Sequence, residues 1–482
     1  MPDSRPNILI LFAEQFRGDC LGSAGHPVLL TPNLDHIGGE GTRFAAAYST
    51  CPICVPARRS LLSGQYPFTH GARTNVKTEW DPRHTLAQTL RDHGYQTAWI
   101  GRGMHQHPPE KHFGWEKLTW HAAGGASEYR AFLERNLPEG DALYHGSGVM
   151  HNDWTARPFH LPERFHHTNW TIGEALKFLA TRDPTRPFCM VVSFLAAHPP
   201  LVPPAFYMER YLRTGVPPPA IGDWAEPPPN RGIGLDVADP RVDLRGEALL
   251  SCRAAYYGLI NHLDDQIRRL LNPMLGDIAT RDTAIFFTAD HGEMLGDHYR
   301  WRKSLPYEGS AHIPLLIQAP ASFGFPKGQV LDQPVSIEDL MPTALDFAGA
   351  PIPDTVEGRS LVPLLRGDAE IRWRDFVHIE CAPIHHTLTD GRQKFIWFAQ
   401  DGREQFFDLR ADPCETRDLV REPGVAERVA AWRTRLIETL ENRPEGFVAN
   451  GKLVPGRAYP GDGRAFHVPA PDGSGRSNAR RE

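Results

Sequence analysis

The segment Cys54-Val55-Pro56-Ala57-Arg58 sets a thiol two residues before a proline and four before a guanidinium. Proline suits the first turn of a helix, so the pattern predicts Cys54 at a helix N-terminus. There, unpaired backbone N–H groups and the helix dipole favour an anion. An isolated cysteine in such a place would simply be a small buried apolar residue. This one is accompanied. Glu14-Gln15, Arg102 to His105, His198 and Asp290-His291 each follow a short apolar run. Four separate segments thus deliver polar groups to what would be one edge. Cys51 and Cys54 also form a C-x-x-C pair, a spacing compatible with redox chemistry or half a zinc site, but the sequence has no second such pair.

The elements that must position these groups are legible as alternating patterns. Ile8–Ala13, Thr97–Gly101, Phe188–Phe194 and Thr283–Ala289 have the length and composition of buried strands. Between them lie helical patterns. The clearest runs from about Glu247 to Leu271, with Tyr256, Ile260, Leu263, Ile267 and Leu270 on one face. Such alternation predicts an α/β fold, a large, mostly parallel central sheet flanked by helices. Ligands in such folds sit beyond the carboxyl ends of the strands, and that is where the polar clusters fall. The proline-rich stretch 217–230 predicts an irregular loop near the site. Past about Arg366 the pattern changes. Lys394–Phe398 and Gln405–Leu409 predict strands around a turn at Gln400-Asp401-Gly402, and a helix over Val425–Leu440 follows. The expected organisation is a catalytic domain over 1–366 and a smaller α+β subdomain over 367–482, ending in a loose or extended tail after Pro455.

Composition excludes several classes. The chain has 482 residues, 41 % of them apolar, enough for a large core. A formal charge of -6 gives no footprint for nucleic acid, so charge for an anionic substrate must be local. Seven cysteines with no framework spacing predict reduced thiols and a cytoplasmic protein. No stretch approaches the roughly 18 uninterrupted apolar residues of a membrane span. A homo-oligomer remains an open expectation, with the proline-rich loop and the tail as candidate contacts.

The Cys54 segment resembles the sulfatase signature C-x-P-x-R, and the likeness extends well beyond it. Thr31-Pro32-Asn33-Leu34-Asp35, Gly41-Thr42-Arg43-Phe44 and Gly64-Gln65-Tyr66-Pro67 resemble the flanks of that signature. Thr288-Ala289-Asp290-His291-Gly292-Glu293 and Gly296-Asp297-His298 resemble the second hallmark of the family. Tyr307-Glu308, Pro314-Leu315-Leu316, Phe407-Asp408-Leu409 and Asp412-Pro413 follow in the expected places. The resemblance spans Pro6 to about Leu419 and implies an alkaline phosphatase-like fold.

It further implies that Cys54 is the precursor of formylglycine, made by a formylglycine-generating enzyme. Hydrated to a gem-diol, the aldehyde would attack sulfur with one hydroxyl and expel sulfate through the second, splitting a hard step in two. By position, Glu14, Gln15, Asp290, His291 and residue 54 itself match the metal ligands, for one divalent cation, Ca²⁺ first and Mn²⁺ or Mg²⁺ as alternatives. Arg58 would hold formylglycine, Lys303 a substrate oxygen, and His198 the leaving oxygen. His105 is assigned to assist the gem-diol, with a solvated loop histidine beside His107 and His112 as the alternative. Asn75 is a candidate substrate ligand, with a simple turn residue as its alternative. Two departures stand out: Glu14 where the family has Asp, and Arg102 where it has Lys, a planar fork for a point charge.

The activity implied first is hydrolysis of organic sulfate monoesters. The second is hydrolysis of phosphonate monoesters or phosphodiesters at the same site, favoured by Gln15 and His291. The third is a non-catalytic scaffold, supported only by Glu14, Arg102 and His105, which lies three residues after Arg102 where the family spacing is two. Trp80, Trp99 and Trp115 are candidates for a leaving-group pocket, with core packing as the alternative.

Overall fold

A computed structural model describes residues 5–457, apart from 123–126, 139–145, 229–236, 278–281, 369 and 382–384. The expected tail therefore lies almost wholly outside the described residues, as does the end of the proline-rich loop. An eight-stranded sheet forms the centre. Its order is Lys117–His121, Gln96–Arg102, Phe188–Ala197, Asn7–Glu14, Thr283–Ala289, Leu315–Gln318, Thr42–Phe44 and Gln329–Leu331. The first five strands run parallel. Leu315–Gln318 is antiparallel to both neighbours, and the last two strands pair parallel with each other. The expected mostly parallel sheet is what forms.

The sequence dictates the middle of this sheet directly. Asn7–Glu14, Phe188–Ala197 and Thr283–Ala289 are buried at every position. Helices cover both faces, so no strand needs a polar side, and near-continuous apolar runs result. The helix Gly246–Gly276 packs Tyr256, Ile260, Leu263, Ile267 and Leu270 into the core. It outruns the expected span at its C-terminal end because Pro273 does not stop it. Trp99 and Trp115 are buried and meet edge-to-face, with ring centroids 5.6 Å apart. They are core residues, and their packing answers the question their sequence positions left open.

Beyond this sheet, a four-stranded antiparallel sheet comprises Val377–Cys381, His385–Thr389, Gln393–Phe398 and Glu404–Asp408. The helix Ala426–Leu440 lays Val429, Trp432, Leu436 and Leu440 on it, forming an apolar cluster with Leu388, Phe395, Trp397 and Phe406. No helix among the described residues is long and apolar enough to cross a membrane.

Candidate active site

Five strand ends meet at one edge. The register pairs Glu14 with Ala197, Ala13 with Ala289, and Arg102 with His121. Glu14, Arg102, His198 and Asp290 therefore emerge side by side, as the strand–helix alternation requires. Cys54 meets them as the first residue of the helix Cys54–Ser63, with Pro56 in its first turn. Asn75 Oδ1 accepts the N–H of Val55 at 3.1 Å, satisfying one of the helix's unpaired donors. Gly64, at φ 66°, closes the helix in the left-handed conformation, its N–H on Ser60 O.

The side chains converge around the Cys54 sulfur. His291 Nε2 lies 3.3 Å from Cys54 Sγ, and Lys303 Nζ approaches the same sulfur at 3.1 Å. Lys303 also donates to Gln15 Oε1 at 3.0 Å and sits 2.9 Å from His198 Nε2. Arg58 reaches from the helix to within 3.5 Å of Glu14 Oε2 and 3.4 Å of Asp290 Oδ2. Its other terminal nitrogen donates to Gly103 O and Ser193 Oγ, both at 3.2 Å. Ten of the eleven residues singled out in the sequence lie in this one connected cluster. The eleventh, Asn75, touches it only through the backbone of Val55, with its carbonyl oxygen committed to that cap.

The two departures from the family pattern turn out to be partners. Arg102 Nε donates to Glu14 Oε2 at 2.6 Å, and a terminal nitrogen of the same guanidinium lies 3.4 Å from Oε1. The longer carboxylate and the broader cation meet across the strand Phe188–Ala197, which lies between theirs in the sheet. His105 joins them, with Nε2 3.5 Å from Glu14 Oε1 and 3.4 Å from Arg102. Its side chain is 26 % exposed and faces Glu14 and Arg102.

Electrostatics follow from this packing. Burial pushes the Glu14 carboxyl up, but Arg102 foremost, with His198, His105 and Arg58, outweighs it and holds the group well below the ordinary carboxylate range. Burial lowers His291 to about 4 despite the neighbouring Asp290, so the imidazole is neutral at physiological pH and able to coordinate. Burial, assisted by Lys303, likewise holds His198 well below its usual value. The His198 Nδ1 is 2.6 Å from Pro199 O. That contact keeps the proton on Nδ1 and leaves the Nε2 lone pair facing Lys303.

The donor set fits a hard divalent cation. Asp290 Oδ1 accepts two backbone N–H groups, from Gln15 at 3.0 Å and His291 at 2.9 Å. Its buried Oδ2 makes no hydrogen bond and has only the Arg58 ion-pair contact at 3.4 Å, which leaves it able to take a cation. Ligand atoms of Cys54, Asp290 and His291 all lie within 4.8 Å of one another, as do those of Glu14, Cys54 and His198. Backbone strain collects here too. Gln15, His105, Arg302 and Ser304 all have φ between 56° and 73°, a conformation that costs non-glycine residues and gathers at functional sites.

Three further residues shape the site without having been assigned a role from sequence. Ser193 ties Arg58 to the sheet, His151 stacks on His198 with centroids 4.6 Å apart, and Glu293 receives the amide of Gln15. Only Glu293 carried a signal, its place in the Asp290-His291-Gly292-Glu293 motif. A separate cavity of about 360 Å³, lined by Arg17, Arg43, Tyr48, His312 and Cys414 among others, shares none of the expected site residues.

Residues 6–350 match the Sulfatase family. The chain belongs to the sulfatase family. Residues 296–442 of this sulfatase also match the N-sulphoglucosamine sulphohydrolase C-terminal family. It is 37 % identical to an arylsulfatase of Clostridium perfringens, over 95 % of this chain and 98 % of that protein. A choline-sulfatase of Rhizobium meliloti is 29 % identical over 96 % and 94 % of the two chains. Among solved structures, the phosphonate monoester hydrolase of Agrobacterium radiobacter superposes with a TM-score of 0.76 at 26 % identity, covering 90 % of this chain and 95 % of that one. The sulfatase is thus an enzyme of the sulfuric ester hydrolase class, with the alkaline phosphatase-like architecture its sequence implied.

Proposed function

We propose that this sulfatase hydrolyses organic sulfate monoesters, using formylglycine made from Cys54. The observation that carries the proposal is Cys54 at a helix N-terminus with Lys303, His291 and the Arg58 helix face around its sulfur. The sulfur marks the position at which the modified residue would present oxygen to a substrate. A divalent cation, for which Ca²⁺ is our first choice, would supply Lewis-acid stabilisation of negative charge on the transferring group. Glu14, Gln15, Asp290 and His291 would hold it. Their buried carboxylates, amide and neutral imidazole suit that ion.

The chain's own residues perform the remaining work. Arg58, fully buried, holds Glu14 and Asp290 in place from the helix and keeps residue 54 aligned with the sheet edge. Lys303 brings positive charge to the substrate oxygens, and with His198 it forms the acid side of the site. A proton held between Lys303 Nζ and His198 Nε2 is placed for the leaving oxygen. Arg102 fixes Glu14, and His105 completes that contact on the substrate side. Asn75 secures the first turn beneath Cys54.

We assign the catalytic domain to 1–366 and the smaller subdomain to 367–482, supported by the separate apolar cluster around Trp397 and Trp432. Six of the seven cysteines are buried as free thiols, which supports a cytoplasmic setting and a formylglycine-generating enzyme as the maturation partner. Phosphonate monoester hydrolysis is the second reading, favoured by the likeness to the Agrobacterium radiobacter enzyme. The test of the Cys54 assignment is protein co-expressed with a formylglycine-generating enzyme, with conversion read by peptide mass. Converted protein is expected to turn over 4-nitrophenyl sulfate, and Cys54→Ala to lose that activity. Equal activity in Cys54→Ala would overturn the assignment.

A further inference from the structure

Glu293 is buried, lies outside the expected ligand set, and faces only donors. Its Oε2 accepts the side-chain amide N–H of Gln15. Its Oε1 accepts the backbone N–H groups of Leu295, at 2.9 Å, and of Arg302. The Gln15 amide is thereby held with its nitrogen on Glu293 and its oxygen on Lys303 Nζ, at 3.0 Å. The ammonium is a donor only and the carboxylate an acceptor only, so both ends demand the same amide orientation. The same carboxylate anchors Arg302, whose φ of 69° and the 73° of Ser304 turn the chain on either side of Lys303. Two segments far apart in sequence, 15 and 302–304, are thus fixed by one group.

We propose that Glu293 is a positioning residue that sets the amide polarity of Gln15 and, through it and Arg302, the placement of the Lys303 ammonium beside residue 54. A carboxamide at 293 would satisfy the two backbone donors with its oxygen and turn its own N–H₂ toward Gln15. Gln15 would then rotate to present its oxygen to residue 293 and its nitrogen to Lys303, donor against donor. Lys303 would lose an acceptor and shift away from its contact with His198. This role rests on the sulfatase reading of the Cys54 site.

The test is a polarity swap. Wild type, Glu293→Gln, Gln15→Glu and the double variant Gln15→Glu/Glu293→Gln are compared as converted proteins on 4-nitrophenyl sulfate, per folded molecule. In the double variant a carboxylate at 15 faces a carboxamide at 293, restoring donor to acceptor at both ends with the net charge unchanged. Each single variant is expected to lose about 10–100-fold, as for groups that orient site ligands, mainly in kcat, and the double variant to recover most of it. A double variant as slow as the product of the singles would overturn the proposal. Thermal unfolding of unconverted, metal-free proteins reads the same pair without turnover. There the double variant should regain the melting temperature that Glu293→Gln loses, and additive losses would contradict the pairing even if wild type proved inactive on sulfate esters. Should Glu293→Gln fail to fold, a folded, active double variant supports the proposal, and a double variant that also fails to fold overturns it.

Discussion

At the scale of single residues, the acid side of the site carries the sharpest chemistry. Lys303 and His198 share a 2.9 Å contact, and burial together with Lys303 keeps the imidazole well below its usual pKa. Such a pair matters in proportion to how badly the departing alcohol needs a proton. Lys303→Ala is therefore expected to cut kcat/KM by about 10²–10⁴-fold, the span of general acid catalysis, for an alkyl sulfate. The loss for 4-nitrophenyl sulfate should be smaller, because nitrophenolate leaves without help. Steady-state kinetics on the two esters checks this, and equal losses would remove Lys303 from leaving-group chemistry. The identities at this scale were largely readable. Cys54, Arg58, His198, Asp290, His291 and Lys303 stood in recognisable motifs, and the chain brings them together. The link between Glu14 and Arg102 was not readable, because 88 residues separate them and only the sheet order, with one strand between theirs, brings them to the 2.6 Å contact. Two oddities in sequence are one ion pair in space. Glu293 stayed without a role for the same reason: a donor count exists only after folding.

At the scale of elements, the helix Cys54–Ser63 must be held as firmly as the sheet edge it faces. Part of that support comes from Glu338, wholly buried at the turn before the helix Leu340–Phe347. It accepts from Thr50 Oγ1, four residues ahead of Cys54. Burial raises its carboxyl from 4.5 to about 7, against the hydrogen bonds that favour its charge. A carboxyl whose folded pKa lies above its unfolded value contributes stability that is complete below pH 4.5 and is lost as pH rises toward 7. Glu338→Gln, which cannot ionise, should therefore gain on wild type between pH 5 and pH 8. The gain would approach about 3 kcal/mol, from a shift of roughly 2.5 pH units at 1.36 kcal/mol each. Denaturation at the two pH values measures it, and a constant difference would show that Glu338 ionises as readily in the fold as in the unfolded chain. The strands were legible to within a few residues because their apolar runs are continuous. Glu338 was not, since nothing in its local sequence shows that both sides of its turn are covered.

At the scale of the whole molecule, the antiparallel sheet is locked to the catalytic layer by a buried charge cluster. Lys394, on the strand Gln393–Phe398, donates to Glu415 at 2.7 Å and to Pro306 O at 2.9 Å, and lies 2.7 Å from Glu308. Burial raises Glu415 to about 7, with Lys394 opposing the rise. Lys394→Met would leave two carboxyl groups facing each other without their cation. Unfolding should become easier by about 3–5 kcal/mol, the usual cost of stripping one partner from a buried pair. The loss should be larger at pH 8 than at pH 5, where protonation relieves it. An unchanged denaturation midpoint would mean that the two layers are held by apolar contact alone. A second tie runs from the backbone N–H of Glu380 to Thr50 O at 2.8 Å, joining the same sheet to the approach to Cys54. The change in pattern near Arg366 announced a second layer in the sequence, yet these ties were invisible there. Each lies between residues far apart in the chain that the fold alone brings into contact.

The measurement that tests the account most directly is kcat/KM for 4-nitrophenyl sulfate against an aryl phosphonate monoester, side by side. The protein would be co-expressed with a formylglycine-generating enzyme, supplied with Ca²⁺ and checked for Cys54 conversion by peptide mass. The account predicts a clear preference for the sulfate ester. A preference for the phosphonate would contradict it and assign the same site to phosphonate ester hydrolysis.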